Sequence, residues 1–131
     1  MTTSLPHVKA FERWVAALNR YGDLSATTAA VSDDVEVLRH GFGPERGLVV
    51  ERIQGTDAVV RWLALTRDIC RFELVSSTAA ASVDREVTAR YRITAEEFVG
   101  GGEWRAQLAP DGRIRRLQHL PDDLDPKWAI P

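Results

Sequence analysis

Several residue types are scarce in this chain of 131 residues, and each scarcity excludes a class of protein. The single cysteine, Cys70, excludes an internal disulfide and a cysteine-based metal cluster. We interpret Cys70 as a small core residue of an apolar strand. No apolar run approaches the length of a membrane span, and residues 1–6 lack the layout of a secretory signal. We therefore expect a cytoplasmic protein that does not contact a membrane.

Positive and negative side chains are nearly balanced in number. Lys and Arg number 17 against 19 Asp and Glu, so the formal net charge is −2 at pH 7. A dedicated nucleic-acid-binding protein usually presents a net basic surface, so we expect no nucleic-acid partner. The three histidines, His7, His40 and His119, lack the spacing of metal ligands, and no glycine motif opens a phosphate-binding helix. The sequence therefore predicts no metal and no cofactor.

The spacing of apolar residues changes along the chain from helical to strand-like. Helices are predicted up to about Leu18, from a cap at Asp23 to a stop at 32–34, and over 56–69. Strands are predicted over 35–42, 48–54, 70–81, 86–95, 103–109 and 113–120, with a hairpin loop at 43–47. Helices early and strands later indicate one α+β domain over 1–131, with an antiparallel sheet of about six strands.

The last predicted strand begins at Asp111 and Gly112, a strong hairpin signal, and therefore pairs with the strand before it. Side chains alternate between the two faces of a strand, so an inward Leu117 also carries His119 inward. The glycine run 100–102 precedes this hairpin. We interpret it as a flexible hairpin or bulge, or as a lid over a pocket.

Five short phrases resemble the nuclear-transport-factor-2-like superfamily, which includes ketosteroid isomerases and SnoaL-like polyketide cyclases. They are RWVAALN (13–19), GDL (22–24), DDV (33–35), GTDAV (55–59) and DGRI (111–114). The resemblance spans nearly the whole chain. It implies a cone-shaped fold, in which three N-terminal helices pack on a strongly bent antiparallel sheet around a deep, mostly apolar pocket. Such a pocket serves many reactions and also plain binding, so the resemblance implies a fold rather than a reaction.

At the residues that do chemistry in these relatives, the sequence departs from the pattern. Trp14 matches the oxyanion-hole tyrosine of the ketosteroid isomerases, Arg39 their general-base aspartate, and Trp104 lies near their second acid. A Trp indole cannot shuttle a proton and an Arg stays protonated. An aspartate of the limonene-epoxide-hydrolase relay is replaced by His119. The resemblance therefore implies neither of these two reactions.

Tyr91 and His119 are the predicted acid–base pair. Tyr91 is the one phenol on the apolar face of strand 86–95, and a phenol can donate a hydrogen bond to a developing oxyanion. His119 is the predicted base, because imidazole titrates near neutral pH, and an inward Arg39 would stabilise an enolate or carboxylate. His40 is the other candidate base, although it and Arg39 face opposite ways unless a bulge intervenes. The alternative is a purely structural role for both, with Tyr91 as a core residue whose hydroxyl lies at the rim and His119 as a satisfied polar group at the end of its strand.

Aromatic side chains are predicted to line the pocket, although they would serve equally well as core volume. The predicted substrate-binding residues are Trp14, Trp62, Phe72, Trp104, His40 and Leu117. Three functions stay open. The first is a cofactor-independent acid/base enzyme, namely a cyclase, isomerase, dehydratase or hydrolase acting on a hydrophobic oxygenated metabolite. The others are a non-catalytic protein that binds a small hydrophobic ligand, and a dimeric interaction module whose own Trp side chains fill the pocket.

The outer face of the predicted sheet carries charges of both signs. Arg90 and Arg105 lie on neighbouring strands with Glu103 between them in the sequence. A face of mixed charge suits a two-fold interface. We therefore expect a homodimer that forms through this outer face.

Overall fold

The computed structural model describes residues 6–41, 48–65, 70–79, 86–95 and 99–122. These residues form an α+β fold, as predicted. Its helices are α1 (Pro6–Asn19), α2 (Leu24–Ala30) and α3 (Thr56–Ala64). Its strands are β1 (Val31–His40), β2 (Val49–Gln54), β3 (Cys70–Ala79), β4 (Glu86–Ala95), β5 (Val99–Leu108) and β6 (Ile114–Pro121). The predicted loop 43–47 and the stretch 66–69 of the predicted third helix lie outside the described residues.

The six strands form one sheet in the order β2-β1-β6-β5-β4-β3. Consecutive strands from β3 to β6 pair antiparallel, and so do β1 and β2. In contrast, β1 and β6 pair parallel, and we call this pairing the parallel seam. The prediction of a wholly antiparallel sheet is therefore wrong. Alternation along a strand tells which face a side chain takes, but it carries no information on the direction of the neighbouring strand.

The prediction of three N-terminal helices is only partly confirmed. α1 and α2 precede the sheet, whereas α3 follows β1 and β2 in the chain. β1 also begins earlier than predicted, because residues 32–34 continue the strand from Val31 instead of ending a helix. Polar side chains fit this strand because they bond to each other, with the Ser32 hydroxyl donating to Asp34 at 2.9 Å.

Local signals in the sequence set the helix ends. The Asp23 carboxylate accepts from the backbone N–H of Ala26 at 3.0 Å and so caps α2, as predicted. Gly22, between α1 and α2, has a φ of 78°, which glycine adopts without strain. A Cβ at Gly22 would lie 2.5 Å from the carbonyl oxygen of Val60, so this glycine allows α3 to approach. Within the described ranges, no helix is long and apolar enough to cross a membrane.

Buried side chains mark one face of the sheet, which we call the inner face. They include Val37, Ile53, Ala89, Trp104 and Leu117, each at most 6% exposed. The helices cover this face with Phe11, Trp14, Val59 and Leu63, all fully buried. Asn19 fastens the end of α1 to β3, because its side-chain amide donates to the Phe72 carbonyl and accepts from the Phe72 N–H, both at 2.8 Å.

The glycine run 100–102 lies inside β5 rather than in a loop. Gly102 pairs with Tyr91, Gly101 with Arg92 and Gly100 with Ile93 across the β4–β5 ladder. The interpretation of this run as a flexible hairpin or a lid is therefore wrong. The predicted hairpin at Asp111 and Gly112 is present, with the Ala109 N–H donating to the Arg113 carbonyl at 2.7 Å.

Candidate active site

Four side chains form a row across the inner face of the sheet, one from each of four neighbouring strands. Trp104 on β5 pairs with His119 on β6, His119 with Arg39 on β1, and Arg39 with Glu51 on β2. Residues directly opposite each other on adjacent strands place their side chains on the same face, about 5 Å apart. Leu117, two residues before His119, is fully buried on the inner face. The row therefore faces the helices, which is the orientation that Leu117 predicts for His119.

Both ring nitrogens of His119 have hydrogen-bond partners. The indole Nε1 of Trp104 donates to His119 Nδ1 at 3.0 Å, and His119 Nε2 lies 3.2 Å from the Tyr91 hydroxyl. An indole N–H can only donate, so Nδ1 must accept. A neutral imidazole has one accepting and one donating nitrogen, which assigns the proton to Nε2. The Nε2–H therefore donates to the Tyr91 oxygen, and the phenol directs its own proton away from the imidazole.

The surroundings of His119 disfavour its protonated form. Burial, followed by the positive charge of Arg39 and the proximity of His40, lowers the pKa of His119 from 6.5 to about 4. The hydrogen bonds act in the same direction, because an imidazolium would point an N–H from Nδ1 at the indole N–H of Trp104. The residue keeps partial exposure, while its two nitrogens face protein groups. His119 is therefore a neutral, donating imidazole at physiological pH.

Aromatic rings surround His119, and together with the Tyr91 ring they form what we call the aromatic cluster. Tyr91 stacks on Trp104 with ring centroids 4.4 Å apart and on His119 at 5.2 Å. Trp62 meets His119 edge-on at 6.3 Å. The members of the cluster are Phe11, Trp14, Trp62, Phe72, Tyr91 and Trp104. The structure thus brings together the four aromatic residues predicted to line a pocket, with Leu117 buried beneath His119.

Gly102 makes the contact between Tyr91 and His119 possible. A Cβ on Gly102 would collide with the Tyr91 hydroxyl and lie 2.6 Å from the carbonyl oxygen of Leu120. Such approaches are shorter than van der Waals contact, so only glycine at position 102 leaves room for the Tyr91 hydroxyl. Sequence reasoning missed this residue because a glycine run suggests a loop. A cross-strand register pairing Gly102 with Tyr91 would have revealed it.

Arg39 and His40 both lie close enough to His119 to lower its pKa. The β1–β2 register shifts between Arg39 and His40. Such a bulge allows two consecutive side chains to lie on the same face of the sheet. The Arg39 Nε donates to Glu51 Oε1 at 2.9 Å, with both side chains about two-fifths exposed. Glu51 was not predicted, although its alternation with the buried Ile53 would have placed it on the inner face. Among the described residues, no three His, Cys, Asp or Glu side chains are grouped as metal ligands.

Solved structures share this fold at low sequence identity. A proposed isomerase of the SnoaL-like family from Agrobacterium tumefaciens is 17% identical, with a TM-score of 0.67 over 89% of this chain and 97% of its own. A proposed SnoaL-like polyketide cyclase from Jannaschia sp. CCS1 is 13% identical, with a TM-score of 0.63 over 92% of this chain and 90% of its own. A de novo designed protein with a curved β-sheet is 16% identical, with a TM-score of 0.66 over 98% and 92% of the two chains. No protein-family model and no curated protein matches the sequence.

The chain therefore has the nuclear-transport-factor-2-like fold, the fold of the SnoaL-like proteins, which confirms the prediction from the sequence phrases. At these identities the likeness shows the fold alone. A designed protein superposes as well as the natural ones, so the fold by itself implies no activity. The function has to be inferred from the row of side chains and the aromatic cluster.

Proposed function

We propose that the chain is a small, cofactor-independent enzyme that moves a proton next to a carbonyl group of a hydrophobic metabolite, as in isomerisation, cyclisation or dehydration. The single observation that supports this function best is the hydrogen bond between Tyr91 and a neutral His119, which lies in the same row as the Glu51 carboxylate. The names of the Agrobacterium and Jannaschia proteins, an isomerase and a cyclase, are consistent with this class of reaction.

Tyr91 and His119 serve in this proposal as an oxyanion-stabilising pair. The Tyr91 hydroxyl donates to the carbonyl oxygen, where negative charge grows as the enolate forms. His119 Nε2–H donates to the phenol oxygen and so stabilises the charge that shifts onto Tyr91. This revises the role predicted for His119, since a ring nitrogen that accepts from Trp104 is not available to remove a proton from a ligand.

Glu51 is the proposed base. Two strand spacings separate it from His119, about 10 Å between the Cα atoms, and Arg39 lies between them in the row. In this proposal the ring of the substrate lies over the Arg39 side chain, with its carbonyl towards Tyr91 and its reacting carbon towards Glu51. The carboxylate removes a proton from the carbon beside the carbonyl, the C–H electron pair becomes the enolate double bond, and the carbonyl oxygen takes the negative charge. Arg39 fixes the position of Glu51 through the 2.9 Å ion pair and brings a positive charge next to the enolate.

Hydrogen exchange in 1-tetralone, a bicyclic ketone, tests these roles. We expect the wild-type protein to accelerate the exchange of the protons beside the carbonyl in D₂O, followed by ¹H NMR. Glu51→Gln is expected to lower the rate by at least about 100-fold and Tyr91→Phe by about 100-fold. Glu73→Gln, a matched change of an exposed glutamate on β3, should leave the rate unchanged. An unaltered rate in Glu51→Gln would rule out Glu51 as the base.

A second function, ligand binding without chemistry, is favoured by the engagement of both His119 nitrogens inside the cluster. Under this alternative the aromatic cluster and the Tyr91 hydroxyl select a planar ligand, and no proton moves. Tight binding of 1-tetralone with no acceleration of exchange would decide for this alternative.

We also propose that the chain forms a homodimer through the outer face of the sheet. The outer face carries ion pairs, with Glu36 bonded to Arg52 at 3.0 Å and Glu103 to Arg105 at 2.6 Å. Light scattering at micromolar concentration should give twice the chain mass. Arg105→Glu should shift the protein towards monomer, whereas Arg13→Glu on the exposed side of α1 should not. A wild-type monomer at all concentrations would contradict the dimer.

A further inference from the structure

An ion pair crosses β5 on the outer face of the sheet. Arg90 on β4 binds Asp122, just beyond the end of β6, through two guanidinium nitrogens, with Nη1 to Oδ1 at 3.1 Å and Nη2 to Oδ2 at 2.5 Å. The two side chains are 45% and 39% exposed. An exposed ion pair contributes little to stability on its own, but the bidentate fork of an arginine holds a carboxylate in a fixed geometry. This pair therefore restricts the geometry of the sheet more than it stabilises the fold.

Gly101 leaves room for this ion pair. The Asp122 N–H donates to the Gly101 carbonyl at 2.9 Å, so Asp122 lies directly beside Gly101 in the sheet. A Cβ on Gly101 would lie 2.6 Å from the Tyr91 carbonyl oxygen and 3.7 Å from Asp122 Oδ2, and a longer side chain would compete with the carboxylate for space. Alternation places Gly101 and Gly102 on opposite faces of β5. One glycine thus opens the outer face for the ion pair, and the other opens the inner face for the Tyr91 hydroxyl.

The ion pair lies behind the hydrogen bond between Tyr91 and His119. Arg90 directly precedes Tyr91 in β4, and Asp122 follows His119 by three residues. Both contacts join β4 to the β6 segment across β5, one on each face of the sheet. Because β5 separates β4 from β6 in the strand order, the distance between Tyr91 and His119 depends on contacts that cross β5.

We propose that Arg90 and Asp122 are positioning residues that hold the Tyr91 hydroxyl at hydrogen-bond distance from His119. Their ion pair fixes β4 relative to the end of β6 from the outer face, and the contact on the inner face keeps its geometry as a result. A displaced donor stabilises an oxyanion less, since hydrogen bonds depend steeply on distance and angle. The inference rests on the proposed function for its effect on rate, whereas its effect on the Tyr91–His119 contact can be measured without turnover.

The substitutions Asp122→Asn and Arg90→Gln, alone and combined, test this role. Asp122→Asn is the cleaner change, because Arg92 lies on the same face of β4 and offers the carboxylate a second partner once Arg90 is replaced. The carbon-bound protons of the His119 ring report the contact, since the Tyr91 ring stacked at 5.2 Å shifts their ¹H NMR resonances. Both single variants should move these resonances, and the double variant should move them no further than Asp122→Asn.

The same variants should lower kcat for deuterium exchange in 1-tetralone about tenfold and leave KM within about twofold, because the ion pair does not touch the ligand. Arg71→Gln, a matched change of an exposed arginine on the same face in β3, should alter neither the His119 resonances nor the rate. A purely stabilising ion pair would behave differently. Its loss would lower the midpoint of urea denaturation and leave the resonances of the folded protein in place.

The outcomes separate this inference from the proposed function. His119 resonances that stay in place in both single variants would overturn the positioning role, whatever the rates. If the resonances move in these variants while the wild-type protein does not accelerate the exchange, the proposed function fails and the positioning of the Tyr91–His119 contact stands.

Discussion

Replacing Gly102 with alanine is expected to destabilise the protein by about 2–3 kcal/mol and to separate Tyr91 from His119. The new methyl group would overlap the Tyr91 hydroxyl and approach the Leu120 carbonyl oxygen to 2.6 Å. Overpacking of this kind usually costs about 1–3 kcal/mol, and here one of the crowded atoms belongs to the backbone and cannot rotate away. Urea denaturation measures the loss of stability.

A double-mutant cycle identifies the source of this destabilisation. In a Tyr91→Ala background the phenol is absent, so Gly102→Ala should cost clearly less than it does in the wild-type protein. Only the contact with the Leu120 carbonyl would then remain. Equal costs in the two backgrounds would show that the Tyr91 ring is not the crowded group, and would contradict our account of Gly102.

Replacing Trp104 with phenylalanine is expected to raise the pKa of His119 above about 4, although burial and the charge of Arg39, which remain, should keep it below 6.5. The change removes the N–H that occupies Nδ1, so this nitrogen becomes free to take a proton. Titration of the imidazole ¹⁵N resonances measures both the pKa and the nitrogen that carries the proton. In the wild-type protein the proton should reside on Nε2 over the whole range above pH 5.

The same substitution should flatten the pH dependence of stability. In the wild-type protein the folded pKa of His119 is depressed, so the unfolded chain takes up its proton first as the pH falls below 6.5. The free energy of unfolding should therefore fall between pH 6.5 and pH 4, by at most about 3 kcal/mol for a shift of this size. Above pH 6.5 His119 is neutral in both states and contributes no slope.

Trp62→Phe is the matched control for this titration. Trp62 also contacts the His119 ring, but through its edge. Both substitutions remove indole volume and cost stability at every pH, so the informative quantity is the slope between pH 4 and pH 6.5. Equal slopes in Trp104→Phe and the wild-type protein would show that the indole hydrogen bond does not hold His119 neutral.

Much of the fold follows from alternation and helical spacing, because those patterns report burial directly. The strand over Glu86–Ala95 and the inward direction of His119 were predicted in this way. The strand β5 was predicted too short because its first residues include the run 100–102, and glycine has a low intrinsic preference for strands. The close approach of Tyr91 explains the glycine at position 102, and this reason becomes visible only once the β4–β5 register is known.

The role of His119 could not be predicted from the sequence, for a different reason. Its tautomer depends on Trp104, which lies 15 residues away in the chain and opposite His119 in the ladder. The inner-face position of Glu51 and Arg39 could have been predicted more easily, since both residues alternate with buried neighbours on their own strands. The sequence did not reveal that the parallel seam places this pair next to His119.

The parallel seam is also expected to tie the assembly of the site to a late stage of folding. The β3–β6 meander and the β1–β2 hairpin each form from contacts that are local in the chain, whereas the seam joins Arg39 to His119 across most of the sequence. Closing a long loop is entropically unfavourable, so such contacts tend to form late. A chain with both pieces formed but the seam open would have Tyr91 beside His119, yet would lack Arg39 and Glu51 next to them. A misfolded or nicked chain is therefore expected to lose the complete site before it loses its secondary structure.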